Sequence, residues 1–239
     1  MMKKSFWLTV GLSLAQLLAG QAQIVTSNAI GFVNIRLGPG FNLIANPLNG
    51  TNNQLRTILP LSDSAEGTTI YRFKADQSGF ADAISFYRSG VGWFDGGSDP
   101  ASLLLNPGEG FFIFPVVNGV SAALDLTFFG EVPTGTLTRT IGNAGSRYNL
   151  CASIVPQAAK LGTAGAPGTL LFPASDQDQI VLFSNALGTF EDPYTYYNGY
   201  GWFSAANPDV NGPVIPVGTS FWVYKPGNSA VWQRTFSLR

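Results

Sequence analysis

The stretch FNLIANPL (Phe41–Leu48) decides the fold, because it returns as YNLCASIV (Tyr148–Val155) about 110 residues later. A second stretch, PGEGFFIF (Pro107–Phe114), returns as PVGTSFWVY (Pro216–Tyr224) with one residue inserted. Copies of this size exceed the ~20 to 50 residues of solenoid repeats and are large enough for separate cores. The sequence therefore predicts two tandem homologous domains, residues 23–132 and residues 133–239.

Within each copy, short apolar runs alternate with turn residues. Gly31–Leu37 alternates apolar with polar residues, which predicts a half-buried strand, and the more continuously apolar 41–45 run predicts a central one. Thr51–Pro60 predicts a short amphipathic helix, with Pro156–Leu161 in the corresponding place of the second copy. We expect an all-β fold of two tandem β-sandwich or partly closed barrel domains, each with one short helix.

The turns and the one cysteine can be interpreted by comparing the copies. Pro107 and Gly108 suit the two central positions of a type II turn, and Gly218 recurs at the place of Gly108. Gly110 becomes Ser220, so we expect backbone geometry to require the first glycine more than the second. Cys151 aligns with an isoleucine, which predicts a buried small hydrophobe instead of a reactive thiol.

Residues 1–22 have the organisation of a secretory signal peptide. Lys3 and Lys4 precede an apolar run, and small residues follow it at the expected cleavage site. This segment predicts a protein that is secreted to the periplasm, the cell surface or the medium, with no membrane span after cleavage. Removal of the two lysines takes the net charge from −1 to −3, and a negatively charged protein is not expected to bind nucleic acid.

Several of these motifs resemble a group of uncharacterised secreted bacterial proteins that carry such a β-rich unit in tandem behind a signal peptide. The resemblance rests on the two first-copy stretches above, on IYRF (Ile70–Phe73) and on TFFGEVP (Thr127–Pro133). It covers nearly the whole mature chain. It implies the tandem architecture and export, and it implies no activity, cofactor or site residue.

The residue types argue against catalysis. The chain has no histidine, which removes Ser-His-Asp and Cys-His machinery and histidine zinc sites. No Walker or dinucleotide motif occurs. We predict no enzyme activity, no catalytic residue, no metal site and no cofactor. Two alternatives stay open: a carboxylate-dependent glycosidase, and Ca²⁺ binding by the Asp95–Asp99 or Asp176–Asp178 loops.

Aromatic residues around the Gly-Trp turns are the candidate ligand-binding groups. Exposed indole and phenol rings can stack on sugars, with amides setting the orientation. The candidate set is Trp93, Tyr194, Tyr197, Asn198, Tyr200 and Trp202. The competing interpretation is core packing, since adjacent aromatics in a strand point to opposite faces.

Taken together, the sequence favours a non-catalytic secreted or cell-surface β-repeat protein with a structural or interaction role. Carbohydrate binding through exposed Trp and Tyr is the alternative, and a glycosidase is the third. The expected partner is a polysaccharide or another cell-surface protein, and nucleic acid is not expected.

Overall fold

The computed structural model describes residues 29–74, 79–88, 90–95, 103–142, 147–205 and 209–238. The predicted signal peptide and most of the 95–99 loop lie outside these residues. In the first copy the elements are β1 (Ile30–Leu37), β2 (Asn42–Ala45), α1 (Leu55–Ile58), a 3₁₀ turn (Asp63–Ala65), β3 (Thr69–Arg72), β4 (Ile84–Phe86), β5 (Trp93–Phe94), β6 (Gly110–Phe114), β7 (Val116–Val117), β8 (Val120–Ser121) and β9 (Leu124–Glu131).

The second copy follows with β10 (Gly135–Ile141), β11 (Tyr148–Ala152), β12 (Ala159–Lys160), β13 (Gln179–Val181), β14 (Phe183–Ser184), β15 (Thr189–Phe190), β16 (Tyr194–Tyr197), β17 (Gly201–Phe203), β18 (Val214–Ile215), β19 (Ser220–Tyr224) and β20 (Ala230–Phe236). No strand crosses the predicted boundary near Pro133, since β9 ends at Glu131 and β10 begins at Gly135. Within the described residues, no helix has the length and apolar character needed to cross a bilayer.

Two five-stranded antiparallel sheets dominate the fold, and they share one strand order. The first sheet runs β2-β6-β3-β4-β5 and the second runs β11-β19-β13-β16-β17. Their registers also correspond, because Leu43 lies opposite Phe112 in the first and Leu150 lies opposite Trp222 in the second. In the described part of the chain no sheet closes on itself, so the all-β expectation is confirmed with open, layered sheets.

A two-stranded sheet covers one face of each five-stranded sheet. β1 pairs with β9 in the first copy, and β10 pairs with β20 in the second. Alternation along β9 turns Leu126 and Phe128 inward, where they pack in one cluster with Phe111. The second copy builds a separate cluster that includes Phe221 and Trp232. Each copy is therefore a small sandwich with its own core.

The helix expectation holds for the first copy only. There α1 buries Leu55 and Ile58 against the core. In the second copy residues 147–205 and 209–238 contain no helix, and Ala159 and Lys160 of the segment expected to be helical pair instead with Ile215 and Val214 as a short ladder. At the corresponding place the described residues of the first copy make only a single bridge, between Gln54 and Leu104, and the chain then turns into α1.

Candidate functional site

The two predicted tryptophans are core residues. Trp93 and Trp202 occupy equivalent positions in β5 and β17 and are almost fully buried. Each indole N–H donates to a backbone carbonyl inside its own copy, Trp93 to Leu59 at 3.1 Å and Trp202 to Gly162 at 2.9 Å. Neither ring therefore offers a free face to a ligand, and core packing explains this repeated pair.

The four other predicted residues are divided between core and surface. Tyr194 is buried in the second core. Tyr197, Asn198 and Tyr200 lie at the surface, and the backbone N–H of Asn198 donates to Asp176. The structure thus does not assemble the six residues into one exposed platform. A ligand-binding role for the three surface residues stays a prediction.

The second acidic loop is built around an internal ion pair. Asp178 Oδ2 accepts a hydrogen bond from Lys225 Nζ at 2.5 Å, and both side chains are fully buried. The same ammonium also donates to Pro173 O and Ser175 Oγ. Burial raises the pKa of Asp178, against the opposing effect of the lysine. Because a cation already occupies this carboxylate, it is poorly suited to Ca²⁺, and the described residues contain no cluster of three potential metal ligands.

The two copies meet at a junction that is close to two-fold symmetric. The backbone N–H of Ala45 donates to Gly218 O at 2.8 Å, and the equivalent N–H of Ala152 donates to Gly108 O at 2.9 Å. Both glycines have a positive φ, which confirms the turn geometry expected at these two positions. The repeated turns thus do more than redirect the chain, because each presents a carbonyl to the other copy.

At this junction Gly110 faces Ser220, its own equivalent in the second copy. A Cβ at Gly110 would lie 2.6 Å from Ser220 Oγ and 2.9 Å from Leu150 Cγ. Ser220 Oγ also donates to Ile44 O at 2.7 Å, which fixes the hydroxyl in place. Backbone conformation requires the first glycine more than the second, as expected, because Gly108 has a positive φ. Gly110 does not have a positive φ, and it is the close approach of the copies that requires it.

Next to this contact, the uncovered faces of the two five-stranded sheets pack together. Leu43, Phe112 and Leu150 form a buried cluster drawn from both copies. Aromatic pairs repeat across it: Phe73 lies 4.7 Å from Trp222 between ring centroids, and its equivalent Phe183 lies 5.3 Å from Phe112. Edge-to-face pairs of this kind stabilise the contact beyond simple burial.

The packing leaves a cleft of about 590 Å³ between the sheets. Its walls come from both copies, and the described residues that line it are Phe41, Tyr71, Phe80, Phe112, Phe183, Gly188, Phe190 and Trp222. The rings at its mouth remain accessible, since Phe41 is 44% exposed, Phe80 45% and Phe190 54%. Ligand sites in proteins have volumes of about 300 to 1,000 Å³ and mainly apolar walls, so this cleft is the candidate site.

The chemistry of the cleft favours binding over catalysis. None of the described residues that line it is charged, and their polar side-chain groups are the Tyr71 hydroxyl and the Trp222 indole N–H. The Trp222 N–H is buried and has no hydrogen-bond partner in the described part of the chain. Cys151 lies in the second core, where burial raises the pKa of its thiol to about 11, so it stays protonated. The arrangement can exclude water and enclose an apolar molecule.

One sequence signal did point to this site. The strands at residues 111–114 and 221–224 are apolar on both faces, whereas a sheet with one solvated face alternates apolar with polar residues. A second covered face was therefore implied. Which surface covers it depends on how the copies dock, and that is a long-range property of the chain.

No protein-family model, curated protein or solved structure matches the chain. The resemblance to secreted tandem proteins therefore stays a prediction. The candidate site rests on the geometry described above.

Proposed function

We propose that this protein is a non-catalytic, exported binding protein whose binding site is the aromatic cleft between the two copies. The observation that carries the proposal is the 590 Å³ cleft, lined almost entirely by aromatic rings that remain accessible at its mouth. Burying such rings against an apolar ligand gives a favourable free energy of about 25 cal/mol per Å². The absence of histidine from the sequence, and of charged side chains among the described lining residues, supports the non-catalytic part of the proposal.

The cleft supports an apolar ligand better than a sugar. A bound sugar needs several hydrogen-bonding groups, and the cleft provides few of them. Polysaccharide binding at the Tyr197–Tyr200 surface has less support, because both tryptophans expected beside it are buried. Affinity electrophoresis in polysaccharide gels tests that alternative: a retardation that Tyr200→Ala abolishes would establish it.

Titration with the fluorescent apolar probe N-phenyl-1-naphthylamine tests the cleft directly. Phe80 and Phe190 are equivalent residues at its mouth, so the double variant Phe80→Ala/Phe190→Ala should raise the probe Kd at least tenfold. The matched control is Phe32→Ala/Phe129→Ala. Those two rings face each other across β1 and β9, are 69% and 68% exposed, and do not line the cleft.

An equal loss of probe binding in both double variants, or no loss in the cleft variant, would contradict the proposed site. Circular dichroism and the thermal midpoint of each variant establish that it is folded. Turnover on a panel of glycan and ester substrates would overturn the non-catalytic part.

A further inference from the structure

A second pocket lies beside the cleft and is its counterpart under the approximate two-fold symmetry. It has a volume of about 400 Å³ and is lined by Phe73, Tyr148, Val181, Phe190 and Trp222. Tyr148 is the equivalent of Phe41, and Val181 is the equivalent of Tyr71. The two pockets are therefore formed by equivalent residues on the corresponding faces of the two sheets.

The two pockets are not independent, because Phe190 and Trp222 line both of them. A molecule in either pocket contacts these two rings. The outer walls are again aromatic, with Phe41 beside the larger pocket and Tyr148 beside the smaller. The two pockets thus adjoin at Phe190 and Trp222 and have apolar walls of similar chemistry.

The size of this surface identifies the kind of occupant. Eleven of the residues that the structure describes line the two pockets together. A stable protein interface uses about 20 to 30 residues on each side, so the surface is too small for a protein partner. Recessed volumes of 590 and 400 Å³ are instead typical of small-molecule sites.

The geometry points to a single elongated apolar molecule, such as an unbranched alkyl chain, that lies across Phe190 and Trp222 and fills both pockets. This inference rests on the proposed function and specifies its ligand class. A chain is favoured over a compact ring system because the volume is divided between two adjoining pockets with a shared wall. A uniformly apolar chain is favoured because none of the eleven described residues that line the pockets carries a charge.

A chain-length series tests the inference. Primary n-alcohols of 6 to 14 carbons are used to displace N-phenyl-1-naphthylamine from the full chain. Affinity should rise about fourfold for each added CH₂ while the chain continues to bury it. Val181→Phe places a larger side chain in the second pocket, so the rise should end at a shorter chain length in this variant.

A control variant and a second pocket variant accompany Val181→Phe. Val231→Phe adds the same ring at an exposed position of β20 and should leave the length dependence unchanged. Tyr148→Ala opens the second pocket at a half-exposed residue and should weaken long alcohols while leaving short ones unaffected. The Tyr148 variant supplies the test if Val181→Phe does not fold.

Calorimetry of the longest alcohol should give one molecule per chain. Two molecules per chain, or the same limiting length in wild type and Val181→Phe, would overturn the single-chain inference while leaving binding in the cleft intact. If neither the probe nor any alcohol binds the wild-type protein, the proposed function itself fails.

Discussion

The inner cores of the two copies use similar apolar residues, whereas their polar contacts and their facing surfaces differ. Ile70 and Ile180 are equivalent and both fully buried, and so are Phe111 and Phe221. The residue two positions before each isoleucine differs: Thr68 bonds to the backbone of Val116, whereas Asp178 pairs with Lys225. Residues that the copies share therefore form the core of each sandwich. Residues that differ between the copies form polar contacts specific to one copy and make the two facing surfaces of the junction unlike.

The largest effect should come from breaking the ion pair that only the second copy has. Lys225→Met leaves the Asp178 carboxylate buried without its partner, which should cost about 3 to 5 kcal/mol of unfolding free energy. The double variant Asp178→Thr/Lys225→Met restores the threonine of the first copy and should recover most of the loss. Urea unfolding at pH 7 measures both. A single variant as stable as wild type would show that the pair is not buried as described.

The junction offers the next largest effect. Gly110→Ser puts a side chain where Ser220 already lies and should cost about 1 to 3 kcal/mol through overpacking. Adding Ser220→Gly exchanges the two residues across the approximate two-fold axis, so the double variant should regain stability. A double-mutant cycle of urea unfolding measures this coupling. Simple additivity of the two changes would contradict the close approach of the copies.

Cys151 provides a pH-dependent effect in the second core. Burial raises the pKa of its thiol from 9.0 to about 11 in the folded protein. Its contribution to stability is therefore complete below pH 9 and is lost as the pH rises toward 11, since the unfolded chain ionises first. Between pH 8 and pH 10.5 wild type should lose about 2 kcal/mol more than Cys151→Ala. Parallel pH dependences of the two proteins would contradict a buried thiol.

The smallest effect is expected where Trp222 replaces the phenylalanine of the first copy. Trp222→Phe removes an indole N–H that is buried without a partner in the described residues, and this gain offsets the smaller ring. We expect the unfolding free energy to change by less than about 1 kcal/mol in urea unfolding. A loss above about 2 kcal/mol would contradict the expected balance between the unpaired N–H and the smaller ring.

Much of the fold could be predicted from local patterns. Alternation along 31–37, the repeated turn glycines Gly108 and Gly218, and the alignment of Cys151 with Ile44 all led to the observed strands, turns and core. These features depend on neighbouring residues and on which face of a strand is buried. The lost helix at residues 156–161 depends on pairing with β18, more than 50 residues away in sequence, and so was not visible locally.

The site was harder to predict because it belongs to neither copy alone. Aromatic density drew attention to Tyr194–Trp202, where the structure places Tyr194 and Trp202 in the core. The cleft instead combines residues as distant as Phe41 and Trp222, and its shape depends on the docking of two sheets. Gly110 shows the same limit, since its constraint comes from Ser220 and not from its own backbone conformation.

A crystal structure of the full chain grown with n-dodecanol tests the central claim most directly, which is that the junction of the two copies is the binding site. We expect electron density for one alkyl chain between Phe80 and Phe190, continuing past Trp222 toward Tyr148. An empty cleft in crystals whose alcohol is ordered instead on the Phe32 and Phe129 surface would contradict it.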